Sequence, residues 1–233
     1  MKLFIFVLMS ASTWAQIRQP SIGVMLDEGG RSRPVTGAPA AAILGEPIFK
    51  EAAISLACSA GLCLAKTESA LISSSGDRWE APPGAALIAF DGDAAYVYFV
   101  ETRQLAYWSQ GRLDPVDFAP DEDVLSLRAS SDGFEYASGR DDGIWVGDRN
   151  LGSANAILLL DGGGALLAAD GQVRLIEADG TELDFAVVGA ESFIGGFVRM
   201  SPRYVEVITA TGMWVLDLEP GHEQIYLLPG VSQ

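Results

Sequence analysis

The chain has 233 residues, of which 49% are hydrophobic and 20% charged, and its formal net charge at pH 7 is −16. This length and apolar content are sufficient for one domain with a substantial core. The negative charge repels phosphate backbones and anionic lipid headgroups, so it argues against nucleic-acid binding and membrane-surface binding.

The N-terminus has the pattern of a secretory signal peptide over residues 1–15. Lys2 supplies the positive charge, residues 3–9 are apolar, and Thr13 and Ala15 form a small-x-small cleavage site. The apolar run is much shorter than the roughly 20 residues that span a membrane. We therefore predict export to the periplasm or the extracellular space, with no membrane span.

A strand–turn–strand–turn–strand unit at residues 123–150 recurs through most of the chain. Its first turn contains Gly133 and its second is Asp142-Gly143, where glycine supplies the positive φ that tight turns require. Third strands recur at roughly 30–40 residues, a spacing typical of solenoids and propellers. The predicted units span residues 22–50, 51–84, 85–120, 121–153, 154–190 and 191–230.

The predicted fold is an all-β β-propeller with five or six four-stranded antiparallel blades in a single domain, residues 16–233. A fourth apolar run follows most third strands, and four short strands per repeat make a propeller blade. The runs at 156–160 and 205–208 have little polar alternation, as expected for strands buried between blades. The N-terminal hairpin, residues 22–36, leaves the blade number open. It either belongs to a sixth blade, with residues 42–49 adding a strand, or pairs with the last of five.

The unit at residues 124–148 resembles the repeats of WD-repeat and YVTN-type β-propellers. It has a strand, an S-x-D-G turn, a strand of small residues, a D-G turn and a strand that contains Trp145. Ser201-Pro202 in the last unit resembles the first of these turns. Trp145 is followed by Val146, so the Trp-Asp dipeptide is absent. The resemblance implies the propeller fold far more than a function.

Cys58 and Cys63 are the two cysteines of the chain, and they flank a short predicted hairpin turn. Opposed residues of an antiparallel pair have Cα atoms about 4.5–5.5 Å apart, which overlaps the range of a disulfide. Because an exported protein meets an oxidising environment, we predict a disulfide, with two core thiols as the alternative. Such a short loop predicts a stabilisation of about 2 kcal/mol.

Acidic residues at turns and aromatic residues in a third strand are the candidate binding residues. They are Asp91, Asp93, Asp121, Asp123, Asp141, Asp142, Tyr107 and Trp108. The carboxylates could bind calcium, or a pair could act as acid and base on a glycan. The alternative is that aspartate is favoured in turns because it bonds the backbone. The aromatic rings either pack between blades or mark a binding surface.

The single histidine, His222, lies in a predicted turn, which argues against a zinc cluster and against a Ser-His-Asp triad. We therefore favour a binding or scaffolding module for a protein or peptide partner over an enzyme. The alternative is a propeller hydrolase, lactonase-like or glycan-active, that uses calcium or paired carboxylates at the central channel. We expect a monomer without a nucleic-acid partner, and no cofactor except calcium in that alternative.

Overall fold

The computed structural model describes residues 20–59, 61–130, 132–187, 194–209 and 212–228. The predicted signal peptide lies outside these residues. The described strands form six antiparallel sheets, five of four strands and one of three. Helix in this part of the chain is confined to two 3₁₀ turns, Pro39–Ala41 and Asp161–Gly163. Neither of these described turns could span a membrane as a helix. The all-β prediction is confirmed.

Each sheet is one blade, and its strands follow in chain order from the centre outwards. The strands are, for blade 1, β1 (Ser21–Leu26), β2 (Ser32–Thr36) and β3 (Ile43–Leu44); for blade 2, β4 (Ser55–Cys58), β5 (Cys63–Lys66), β6 (Ala70–Ser73) and β7 (Arg78–Glu80); for blade 3, β8 (Ala86–Asp91), β9 (Ala94–Phe99), β10 (Gln104–Ser109) and β11 (Arg112–Val116); for blade 4, β12 (Asp123–Ser130), β13 (Gly133–Arg140), β14 (Gly143–Val146) and β15 (Arg149–Asn150); for blade 5, β16 (Ala156–Leu159), β17 (Ala165–Ala169), β18 (Gln172–Ile176) and β19 (Glu182–Ala186); and for blade 6, β20 (Ile194–Arg199), β21 (Tyr204–Thr209), β22 (Gly212–Asp217) and β23 (Gln224–Leu227).

The core lies between the blades. The described residues include six clusters of buried side chains, and each cluster joins one pair of neighbouring blades. Leu166 of blade 5 packs with Val205 of blade 6, for example, and Val215 of blade 6 packs with Ile22 and Met25 of blade 1. Since the last blade packs against the first, the sheets form a closed ring, which confirms the propeller with six blades.

Hydrogen bonds to backbone carbonyls between blades 6 and 1 close the ring. The Ser201 hydroxyl donates to the Ile22 carbonyl at 2.8 Å, and the Val24 N–H donates to the Met200 carbonyl at 3.2 Å. Gly23 allows this close approach, because a Cβ there would stand 2.2 Å from the Met200 carbonyl oxygen. Of the two arrangements left open by the sequence, the N-terminal hairpin belongs to a blade of its own.

Among the described residues, blade 1 has no counterpart to the innermost strand of the other blades. β1 begins beside Ser201, near the end of β20, and leads into a turn where Gly30 accepts a bond from Ala53, just before β4. β1 therefore runs antiparallel to β20 and β4, the inner strands of the two neighbouring blades, and β20 and β4 contact each other directly. By direction, β1 to β3 correspond to the second, third and fourth strands of a blade. The N-terminal hairpin of β1 and β2 therefore occupies the second and third positions of its blade.

Tight turns set the register of the strands. Gln110 and Gly111 have φ of 48° and 74°, and Asp170 and Gly171 have φ of 51° and 73°. Two successive positive φ values are typical of the type I′ turn, whose twist matches that of the flanking strands. The second strands β5 and β17 are almost wholly buried, whereas the outer strand β11 is mostly exposed, as the radial order requires.

Candidate functional site

The inner strands β4, β8, β12, β16 and β20 run in one direction around a central channel. The channel has a volume of about 240 Å³, and its lining includes Leu26, Ser55, Ile88, Leu127 and Phe197. The face at which these strands begin is called the start face, and the face at which they end is called the end face. In blades 2 to 6 the start face carries the turns between second and third strands and the connections between blades. The end face carries the first-to-second and third-to-fourth turns.

Asp121 and Asp123 lie on the start face, Asp121 in the connection to β12 and Asp123 as the first residue of that strand. Arg103 of blade 3 donates from Nη2 to the Asp121 carbonyl at 3.2 Å and lies 3.5 Å from the Asp123 carboxylate. The Asp123 side chain is 87% exposed. These contacts join blades 3 and 4 at the surface and leave both carboxylates in solvent.

Asp141 and Asp142 also lie on the start face, in the turn between β13 and β14. Asp142 Oδ1 accepts a hydrogen bond from Trp145 Nε1 at 2.8 Å, and the Arg140 guanidinium lies 4.8 Å from the Trp145 ring centroid. Asp141 is exposed. The contacts of Asp142 and Trp145 therefore fall within one blade.

Asp91, the last residue of β8, and Asp93, in the turn that follows it, lie on the opposite, end face, and both are exposed. Tyr107 is half-buried in β10. Trp108 is only 5% exposed, and its ring packs edge-to-face on Trp79, 5.8 Å away between blades 2 and 3. The predicted carboxylates are thus divided between the two faces. Among the described residues, no three His, Cys, Asp or Glu side chains are grouped so that they could hold a metal ion.

The predicted disulfide between Cys58 and Cys63 is present and confirmed. The two residues are directly paired across β4 and β5, with Cα atoms 4.1 Å apart. Cys58 lines the end-face mouth of the channel together with Arg128 and Arg199. The bridge therefore ties the innermost hairpin of blade 2 at the channel mouth.

The channel is lined mainly by aliphatic side chains, and its described lining contains no Asp or Glu. Its serines join neighbouring inner strands. Ser55 Oγ accepts from the Ala86 N–H at 3.0 Å, and Ser126 Oγ accepts from the Leu159 N–H at 2.9 Å. The channel in the described part of the chain therefore does not bring together the paired carboxylates of the hydrolase alternative.

A larger groove lies on the end face between blades 5 and 6, with a volume of about 460 Å³. Leu160, Leu175 and Leu218 form its apolar floor, and Pro202 and Pro220 line its sides. Leu175 lies in β18, whereas the other four residues come from first-to-second and third-to-fourth turns of two consecutive blades. The prolines have fixed φ, so they stiffen the turns that flank the groove.

Charged side chains surround the floor of this groove. The lining contains one guanidinium, that of Arg199, and the four carboxylates of Asp161, Glu177, Asp179 and Glu223. The formal charge of these groups is therefore −3. Arg199 forms an ion pair with Asp161, so its charge is already compensated. The Glu177 carboxylate makes no hydrogen bond or ion pair with any described residue.

Backbone bonds fix two of these acids. Asp179 accepts from the Thr181 N–H at 2.8 Å, and this bond holds the pKa of the Asp179 carboxyl below its usual value. Glu223 accepts from the Gly221 N–H at 2.8 Å. Both acids are therefore held in defined positions beside the groove.

The sequence analysis did not single out the residues of this groove. The available signal was the acidic content of two consecutive third-to-fourth turns, at residues 177–181 and 217–223, each with two or more acids. That signal does not show that the two turns face each other, because the distance between blades depends on the whole ring.

No family model matches the chain, and no curated protein matches its sequence. Solved structures do match its fold. PorZ, a bacterial surface component of the type-IX secretion system of Porphyromonas gingivalis, aligns with a TM-score of 0.55 and 13% identity over 91% of this chain and 38% of PorZ. A chain of a nidogen–laminin complex aligns with a TM-score of 0.57 and 10% identity over 91% of this chain and 95% of that chain.

Virginiamycin B lyase from Staphylococcus aureus aligns with a TM-score of 0.48 and 9% identity over 91% of this chain and 85% of the lyase. At such identities the first two alignments establish a shared propeller architecture and no activity. This chain spans 38% of the length of PorZ. The fold implied by the resemblance to WD-repeat and YVTN-type propellers is therefore confirmed, and the comparisons support that resemblance at the level of the fold alone.

Proposed function

We propose that the chain is an exported binding module, and that the groove between blades 5 and 6 binds a basic and apolar segment of a protein partner. The observation that carries this proposal is the groove itself, with a leucine floor and four carboxylates in about 460 Å³. Ligand-binding pockets typically have volumes of about 300–1,000 Å³ and combine an apolar lining with a few polar groups. A peptide that places an aliphatic side chain on the floor and a lysine or arginine beside the acids matches both features.

The charge of the groove supports a basic partner. Since Arg199 is neutralised by Asp161, no described cation compensates the carboxylates of Glu177, Asp179 and Glu223 at the groove. The formal charge of −16 for the whole chain adds a long-range attraction for basic segments, which raises the association rate at low ionic strength.

Export is supported by two independent features. The N-terminal residues 1–15 have the pattern of a signal peptide. The disulfide between Cys58 and Cys63 is typical of proteins that fold in an oxidising compartment. Among structures with this architecture, PorZ is a bacterial surface component and another belongs to a protein–protein complex.

The binding proposal can be tested by calorimetric titration of the mature protein with acetylated hexapeptides. One peptide combines leucine with lysine, and a second has glutamate in place of each lysine. We expect binding of the lysine peptide, a weaker affinity as salt is added, and no binding of the glutamate peptide.

The variant with Glu177→Gln and Glu223→Gln keeps the size of both side chains and the acceptor for the Gly221 N–H. If each surface charge contributes about 0.5–1 kcal/mol, the variant should bind about 5- to 30-fold more weakly. Glu28→Gln with Glu80→Gln changes the same charge on the start face and should leave the affinity unchanged. Equal weakening in both double variants would mean that net charge alone, and not the groove, governs binding.

A further inference from the structure

Three half-buried aromatic rings meet between blades 3 and 4, towards the end face. Tyr96 and Tyr107 are paired across β9 and β10, with ring centroids 4.8 Å apart and ring planes tilted by 51°. Phe134 of β13 brings its ring to 5.2 Å from Tyr96. Tyr96, Tyr107 and Phe134 are called the aromatic trio.

The strands on either side of the two tyrosines, β8 and β11, each carry an aspartate close to the aromatic trio. Ala89 pairs with Tyr96, and Asp91 lies two residues further along β8, so Asp91 is on the same face of blade 3 as the tyrosine rings. Burial, and then the nearby Tyr107 and Asp91, raise the pKa of the Tyr96 hydroxyl, in accord with this placement. Asp114 of β11 is the cross-strand partner of Tyr107 and is the outer neighbour of the trio.

The described chain places no cation on the aromatic trio. Asp91 and Asp93 are exposed, and neither carboxylate makes a hydrogen bond or ion pair with a described residue. Arg112 lies instead on Asp114, 3.2 Å away, with its own side chain 77% exposed. The rings and Asp91 therefore form a negative, aromatic surface without a compensating charge.

At two other places in this protein, an arginine of the chain itself lies over an aromatic ring that is next to an aspartate. The Arg140 guanidinium lies 4.8 Å from the Trp145 ring centroid. The Arg203 guanidinium lies 5.1 Å from the Tyr204 ring centroid and also binds both oxygens of Asp217. An aromatic ring beside an aspartate is thus an arginine-binding arrangement in this protein.

We propose that the aromatic trio and Asp91 form a second binding site, which accepts an arginine side chain of a protein partner. A guanidinium is attracted to the negative face of a tyrosine ring, and its planar fork can donate at the same time to a carboxylate. Arginine fits better than lysine, because a compact ammonium stacks less well on a ring. The site is on the same face as the groove between blades 5 and 6 but shares no residue with it.

The site can be tested by NMR of the mature protein with isotopically labelled tyrosine rings, of which the full sequence has six. The probe is N-acetyl-arginine-amide, and the matched control is N-acetyl-citrulline-amide, a neutral molecule of nearly the same shape. Tyr107→Phe identifies the Tyr107 signal and keeps its ring. We expect arginine, and not citrulline, to shift the signals of Tyr96 and Tyr107.

Two substitutions separate the charge from the rings. Asp91→Asn should weaken arginine binding about threefold or more, and Tyr107→Leu should reduce the shift of Tyr96 by a similar factor. Asp117→Asn, an exposed aspartate on the start face, should have no effect. Equal shifts with citrulline, absence of shifts at Tyr96 and Tyr107, or unchanged binding by Asp91→Asn would each overturn the proposal. The proposal for the groove between blades 5 and 6 would not be affected by these outcomes, because its test uses other residues.

Discussion

A buried glutamate at the closure of the ring should make the stability of this protein depend on pH. Glu206 of β21 is 4% exposed and makes no hydrogen bond or ion pair in the described part of the chain. Its cross-strand neighbours are Val198 and Val215, and Val215 packs against Ile22 and Met25 of blade 1. The Glu206 carboxyl therefore faces blade 1, whose adjacent strand β1 carries no charged residue.

Burial raises the pKa of Glu206 from 4.5 to about 7. In the unfolded chain this carboxyl loses its proton near pH 4.5, whereas in the folded protein it keeps the proton until about pH 7. Between these values the folded state binds more protons, so the free energy of unfolding falls as pH rises. The decrease begins above about pH 4.5, is complete above about pH 7, and amounts to about 3 kcal/mol from the gap between the two pKa values.

Glu206→Gln places a neutral side chain of the same size at this position and should remove the pH dependence that Glu206 contributes. Urea denaturation at pH 4 and pH 8 gives the free energy of unfolding of both proteins. Relative to wild type, the variant should gain about 3 kcal/mol more at pH 8 than at pH 4. The exposed substitution Glu28→Gln should show no such difference. A Glu206→Gln variant that follows the wild-type pH dependence would show that the folded protein holds this carboxyl ionised without penalty.

Two further predictions concern the disulfide between Cys58 and Cys63 and the contact of Gly23 with Met200. Replacement of Cys58 and Cys63 by serine should lower the free energy of unfolding in urea by about 2 kcal/mol, the value for a short loop, and an unchanged denaturation midpoint would contradict this. Gly23→Ala should lower the thermal midpoint by about 4–8 °C, because its Cβ would meet the Met200 carbonyl at 2.2 Å. This shift corresponds to a loss of about 2 kcal/mol at about 2–4 °C per kcal/mol for a domain of this size. Gly61→Ala, which has no neighbouring atom within 4 Å, should have little effect, so equal losses in the two variants would argue against a tight contact at Gly23.

The fold was predictable because its information is local and repeated. Each blade contains a complete strand–turn–strand pattern, and turns such as Asp170-Gly171 set the register without help from distant residues. The disulfide was predictable for the same reason, since Cys58 and Cys63 belong to one hairpin. The blade number was not predictable, because the decisive contacts, such as the bond from Val24 to Met200, join the two ends of the chain.

The candidate carboxylates show that the local sequence pattern does not reveal on which face of the propeller a turn residue lies. Asp91 lies in a first-to-second turn, whereas Asp142 lies in a second-to-third turn. Turns of these two kinds lie at opposite ends of antiparallel strands, so aspartates that look equivalent in the sequence fall on opposite faces of the propeller. A sequence reading that assigns each turn its position in the blade could have separated them in advance.

The two proposed binding sites share a different property, which is that each lies between blades. The groove needs the turns of blades 5 and 6, and the aromatic trio needs Tyr96 of blade 3 with Phe134 of blade 4. Blade packing brings these turns and rings to a fixed separation, so the ring of six blades holds both sites in place with little backbone freedom. Both lie on the end face, and both present carboxylates that the described chain does not neutralise. A partner with arginine or lysine at two separate points could therefore contact both sites at once, and its affinity would then exceed that of either contact alone.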